Sequence, residues 1–254
     1  MALIVHRSLI KYQVLHIFIG YLAISFLLGG CVSAPPRQEF DKTSYVKKIA
    51  ILQITEPQEI GVMNMGGPAG LFGGLGYLVQ GVDSVNKTKQ FTEKMKQVGL
   101  SPGPDMAQAL QDELIKMNYE VVYLSNQRPK YTGKETDYSV IQANADAILD
   151  VRYDAISYIS HPLSLDYKPW VIVSARLIST KNQASLYYQE FSYGDDFRPE
   201  SEFQKLGIER LSADSKYAYR SFDGLMDLAE EAADGIKSSV KPIVKHIGDQ
   251  LRKE

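Results

Sequence analysis

The chain is poor in the side chains that build disulfides and metal centres: one cysteine, Cys31, and four histidines stand among 254 residues. A single thiol excludes an internal disulfide, so packing has to hold the fold together. His161 and His246 lie far apart in sequence, with no cysteine beside them and no HExxH spacing, so they offer no zinc ligand set. A basic excess is missing as well. The 28 Lys and Arg are outnumbered by 30 Asp and Glu, which leaves no electrostatic footprint for nucleic acid. No GxSxG motif and no Ser/His/Asp grouping is present, so the chain is expected not to be an enzyme and to need no metal or cofactor. The apolar run from Val14 to Leu28 falls short of the ~20 residues a membrane span needs, and it contains His16.

That run is nevertheless informative. Arg7 and Lys11 supply positive charge before it, and Leu28-Gly29-Gly30-Cys31 closes it with two small residues and the sole thiol. The segment resembles a bacterial lipoprotein signal. The resemblance implies that Cys31 is the lipid attachment site, its sulfur becoming a diacylglyceryl thioether. Cleavage would remove residues 1–30, and the new amino terminus would be acylated. Two lipid signals already give stable anchoring, since each buried CH₂ is worth ~0.8 kcal/mol. Val32 in place of aspartate after the cysteine implies, for such lipoproteins, an outer-membrane location facing the periplasm. An uncleaved transmembrane helix at the same place is the alternative. Removal of residues 1–30 takes away Arg7 and Lys11 and no acid, so the formal charge falls from −2 to −4.

Residues 31–46, with Pro35 and Pro36 and no apolar periodicity, read as a lipidated tether. Residues 47–254 then form a single α+β domain. Ile49 to Ile54 is a β-favouring run buried on both faces. A glycine-rich, apolar insertion spans 61–82, followed by a charged helix over 86–98 with Phe91, Met95 and Val98 on one side. Pro104 and Asp105 open a second helix whose Met106, Leu110, Leu114 and Met117 form a core-facing stripe, with Asn118 as its stop. Tyr119 to Leu124 reads as a strand, 137–143 as a short helix, and Ala147 to Ile159, Trp170 to Ser179 and Ala184 to Tyr193 as consecutive antiparallel strands. A C-terminal helix over 214–252 carries Phe222, Leu225, Ala229, Ala232, Ile236 and Val240 at helical spacing. Pro242 should break or bend it.

The expected architecture is a mixed sheet of about five strands in the order β-α-β-α-β-β-β-α, with a long C-terminal helix. This order, the segment Ala145-Asp146-Ala147-Ile148-Leu149 and the turn at Ser179-Thr180-Lys181-Asn182 resemble a broad group of envelope lipoproteins. The group includes activators of penicillin-binding proteins, the curli-secretion lipoprotein and the amino-terminal domain of the Tol-associated propeller protein. It implies a lipid-anchored, non-catalytic accessory subunit of a cell-wall, secretion or transport assembly, with an envelope protein or further copies of itself as partner. The alternative is a structural ring-forming lipoprotein of a secretion channel.

Within the glycine-rich stretch, Leu71, Phe72, Leu75, Tyr77 and Leu78 are candidate membrane or partner contacts, the alternative being a locally packed loop. The stretch lacks the Lys-Ser/Thr ending of a phosphate-binding loop. Asp150, Asp154 and Glu190 fall in predicted strands and could face one another as an acid/base pair. A solvated strand face is the other reading. Asp195-Asp196 offers too few oxygens for calcium.

Overall fold

The computed structural model describes residues 37–41, 45–65, 73–131, 136–160, 166–194 and 198–253, with the side chains of 73–82 left aside. All of them belong to one compact unit that begins at Pro35.

The fold is α+β. A seven-stranded mixed sheet runs in the order β3-β1-β6-β7-β8-β9, and β2 pairs with the far end of β6. Strand β1 (Lys48–Leu52) lies parallel to both β3 (Glu120–Leu124) and β6 (Ala147–Ser160). Four of its five residues are buried, as expected of a strand covered on both sides. Strands β6, β7 (Tyr167–Ser179) and β8 (Ser185–Gly194) form an antiparallel meander. Two short strands, β2 (Gly61–Asn64) and β9 (Glu209–Leu211), are parallel additions, so five strands of the expected order are joined by two more. A two-stranded ribbon, β4 (Lys130–Tyr131) with β5 (Thr136–Asp137), ends where the short helix over 137–143 is expected, and residues 138–143 are not helical. The chain makes a turn at 139–140 instead, and Tyr138 and Ile141 pack from it against Leu52, Ile148 and Ile178.

The insertion range 61–82 is structured at both ends. Its first four residues are β2, and helix α1 (Gly73–Gln97) begins inside the glycines. Phe91 and Met95, both fully buried, anchor the C-terminal half of α1, from which each added residue gains a hydrogen bond. Helix α2 (Pro102–Lys116) buries Met106, Leu110 and Leu114 as their spacing predicts, and Asn118, at φ 62, follows its end. Glu56 caps this helix from outside: its Oε1 accepts from Gly103 N–H at 2.6 Å and from Ser101 Oγ at 3.1 Å.

Helix α3 (Glu200–Leu206) closes on Gly207 at φ 66 and leads into β9. The C-terminal stripe is buried as expected, but on three segments: α4 (Phe222–Asp227), α5 (Ala229–Lys237) and α6 (Val240–Leu251). The last break falls at Ser238 and Ser239, upstream of Pro242, which lies inside the first turn of α6. Proline has no N–H to donate four residues back, so the interruption appears one turn before it.

Helices α1, α2, α5 and α6 share one core with the inward residues of the sheet, among them Leu149, Val151, Val173 and Leu177. A bulge between Tyr153 and Ala155 shifts the alternation of β6, so Ile156 and Tyr158 continue the inward row. In the β7–β8 turn the left-handed residue is Gln183, at φ 56, and not Asn182, whose side chain instead accepts from Ala184 N–H. Gln183→Gly is expected to raise stability by about 0.5–1 kcal/mol by relieving that conformation, read as a higher melting temperature.

Candidate functional site

Asp146, in the segment that carries the lipoprotein resemblance, has a structural task. Its Oδ2 accepts from Lys47 N–H at 2.8 Å and Lys48 N–H at 2.9 Å, which ties the start of β6 to the entry of β1. These two backbone donors hold its carboxyl below the usual range.

The face of the sheet turned away from the main core carries Asp150, Arg152, Arg176 and Glu190. Register places Asp150 opposite Arg176, and Arg176 opposite Tyr188. One row further along, Arg152 lies opposite Ser174, and Ser174 opposite Glu190. The three carboxylates expected as a possible acid/base pair therefore do not meet. Asp150 and Glu190 belong to different rows and are separated by β7. Asp154 pairs with Arg152 at 3.4 Å and Glu190 with Arg198 at 3.4 Å. Arg176 lies over the Tyr188 ring at 5.0 Å, and Arg152 over Tyr131 at 5.2 Å.

Asp150 is the exceptional member. It is only 4% exposed, and its Oδ2 accepts from Tyr138 Oη at 2.8 Å. Its Oδ1 has no hydrogen-bond partner among the described residues. Burial pushes its carboxyl above the ordinary range, against the pull of the Tyr138 hydrogen bond and the Arg152 and Arg176 charges. Burial likewise pushes the Tyr138 hydroxyl up, with the Asp150 charge acting in the same direction. Tyr138 packs with Leu52, Ile148 and Ile178 in a small second apolar cluster, to which Leu124 and Ile141 add. The pair thus pins the segment after β3 over the outer face of the sheet. Sequence reading singled out Asp150 but neither Tyr138 nor Arg176. The register could have supplied the latter, because three residues in from the Ala147–Ser179 pair the two strands reach Asp150 and Arg176.

Of the other expected site residues, Cys31, Leu71 and Phe72 lie outside the described residues. Leu75, Tyr77 and Leu78 fall in the first turns of α1. Tyr153, Tyr158, Tyr187 and Tyr193 are buried in the main core, and Tyr188 is buried under Arg176. Among the described residues no group of three His, Cys, Asp or Glu could hold a metal ion, and no helix is long and apolar enough to cross a membrane.

No protein-family model matches the chain, and no curated protein matches it. Among solved structures it is similar to the PelC dodecamer from Paraburkholderia phytofirmans, at 13% identity and a TM-score of 0.29, over 61% of this chain and 77% of that one. It is similar to a protein from Xanthomonas campestris at 10% identity and a TM-score of 0.35, over 86% and 93% of the two chains. A lipoprotein from Neisseria meningitidis is matched at 15% identity and a TM-score of 0.27, over 63% and 92%. These likenesses are too distant to assign the chain to any of the three lipoprotein groups its strand order resembles.

Proposed function

We propose that the chain is a lipid-anchored envelope lipoprotein whose α+β domain works by binding, as a non-catalytic accessory subunit of a cell-wall, secretion or transport assembly. The observation that carries this reading is Leu28-Gly29-Gly30-Cys31 at the end of a short apolar run preceded by Arg7 and Lys11. The three candidate acid/base carboxylates support the non-catalytic part, because they are engaged separately, Asp154 and Glu190 with arginines and Asp150 with Tyr138. Val32 after the cysteine favours the outer membrane, with the domain in the periplasm. The partner is an envelope protein or further copies of the same chain.

Two experiments test this reading. Cys31→Ala is expected to leave an uncleaved precursor without lipid and to abolish retention of the processed protein in the membrane fraction. Normal cleavage with unchanged retention would overturn the proposal. Size measurement in mild detergent, with crosslinking in intact cells, separates the accessory subunit from the ring-forming alternative: a ring gives a uniform high-order particle of this chain alone, an accessory subunit a crosslink to a different protein.

A further inference from the structure

The segment expected only to tether the domain is in fact built into it. Gln38 N–H donates to Tyr188 O at 2.9 Å, and Tyr188 N–H donates to Gln38 O at 2.9 Å, an antiparallel bridge on the outer edge of β8. Gln38 Nε2 adds a third bond to Ser185 O at 2.6 Å. Phe40 is 7% exposed within the main core, and Arg37 lies so close to Gly207 that a Cβ built there would come within 2.8 Å of Arg37 Cβ. Further along, Val46 is fully buried, its carbonyl accepting from Lys253 Nζ. The other half of the β8 edge, Phe191 to Tyr193, is taken by β9. The N-terminal segment and β9 therefore divide one sheet edge between them, and Arg37, the first described residue, lies at the corner where α3 meets β9.

We infer that the pairing of Gln38 with Tyr188 is a latch that sets the distance between domain and bilayer, so that the corner formed by Arg37, α3 and β9 is the surface apposed to the lipid headgroups. This rests on the proposed lipid at Cys31. Six residue steps separate Cys31 from Arg37, and an extended chain covers at most ~3.6 Å per residue, so the latched leash reaches no further than ~22 Å. A domain of this size has a radius of gyration of ~17 Å and hence a diameter of ~45 Å. A leash half as long as the body is wide keeps that corner within ~22 Å of the bilayer and so on the membrane-proximal half of the domain. Unlatched to residue 46, fifteen steps would span ~54 Å and leave the domain free to tumble. The partner of the corner is the lipid surface of the leaflet that holds the anchor. The opposite edge, β3, is then turned outward, where a protein partner can reach it.

The test uses the full lipidated chain in phosphatidylcholine vesicles containing a headgroup-labelled energy acceptor. With Cys31 occupied by lipid, a thiol introduced at the exposed Gln204 on α3 or Glu120 on β3 is the sole labelling site. Transfer from position 204 is expected to be about twofold more efficient than from 120, because four strand spacings of ~4.8 Å separate β8 from β3. Gln38→Pro with Phe40→Ala removes a paired N–H and the buried ring, and should erase that difference. A six-residue Gly-Ser insertion after Ala34 leaves the latch and the core intact, and should lower the transfer at 204 without changing the melting temperature. Equal transfer from 204 and 120 in lipid-bearing native protein would overturn the latch alone. Loss of vesicle binding together with absence of lipid mass on Cys31 would overturn the anchor and the latch with it.

Discussion

Replacing Gly235 with alanine is expected to destabilise the domain by about 2–3 kcal/mol, even though alanine is the better helix former. Gly235 lies in the last turn of α5, where the backbone passes over the Tyr158 hydroxyl; a Cβ there would press inside van der Waals contact of that oxygen and sit 3.0 Å from the Tyr217 ring. Tyr158 cannot yield. It is fully buried, donates to Ala232 O at 3.0 Å, and its ring is held edge-on by Phe91 at 5.7 Å and Tyr219 at 5.6 Å. Helix propensity favours the alanine by about 1 kcal/mol. Overpacking costs about 1–3 kcal/mol, and displacing a buried hydroxyl from its acceptor costs about 1–3 kcal/mol more, so the steric effect wins. Tyr158→Phe in the same chain removes the obstructing oxygen, and the double variant should be more stable than the sum of the singles by about 1–2 kcal/mol. Chemical denaturation reads both outcomes. A Gly235→Ala protein as stable as the native one would contradict the packing described for α5.

Tyr138→Phe is expected to cost about 2–3 kcal/mol at neutral pH and less in mild acid. Among the described residues the hydroxyl is the one hydrogen-bond donor to a carboxylate that is nearly inaccessible to water, and hydrogen bonds to charged groups contribute about 1.5–3 kcal/mol. The pH dependence follows from the direction of the Asp150 shift. Its carboxyl is raised on folding, chiefly by burial, so the folded chain binds the proton more tightly than the unfolded chain. Stability from this group is therefore greatest when it is protonated. It is lost as pH rises from the ordinary carboxylate range through the raised folded value. Removing the Tyr138 donor raises that value further and widens the loss. Asp150→Asn abolishes the ionisation, so its stability relative to the native protein should improve steadily as pH rises through this window. Denaturation midpoints of the three proteins between pH 4 and pH 8 check the sign. A pH-independent difference between native protein and Asp150→Asn would show that Asp150 titrates normally.

The parts of the fold that sequence made legible are those where burial leaves a periodic trace. The Ile49 to Ile54 run, the alternation of Val171, Val173, Ala175 and Leu177, and the α2 and C-terminal stripes all report which side chains meet the core. The missed parts are built from backbone groups, which leave no such trace. Gln38 pairs with Tyr188 through main-chain atoms, and β2 and β9 are only four and three residues long. Glycines concealed the beginning of α1, because their low helix propensity is outweighed by a helix already anchored at Phe91 and Met95. The site was half legible: Asp150 stood out as a carboxylate in a strand, but its donor comes from a segment whose spacing suggested a helix. The proposed anchor, by contrast, rests on sequence alone, on residue types at fixed spacing.

The central claim is that lipid on Cys31 holds this domain at a membrane, and mass spectrometry of the amino-terminal peptide from protein extracted from native membranes tests it most directly. The account predicts a chain that starts at Cys31 and carries the added mass of a diacylglyceryl group and an amide-linked acyl chain. A chain that retains Met1, with an unmodified thiol at Cys31, would contradict it.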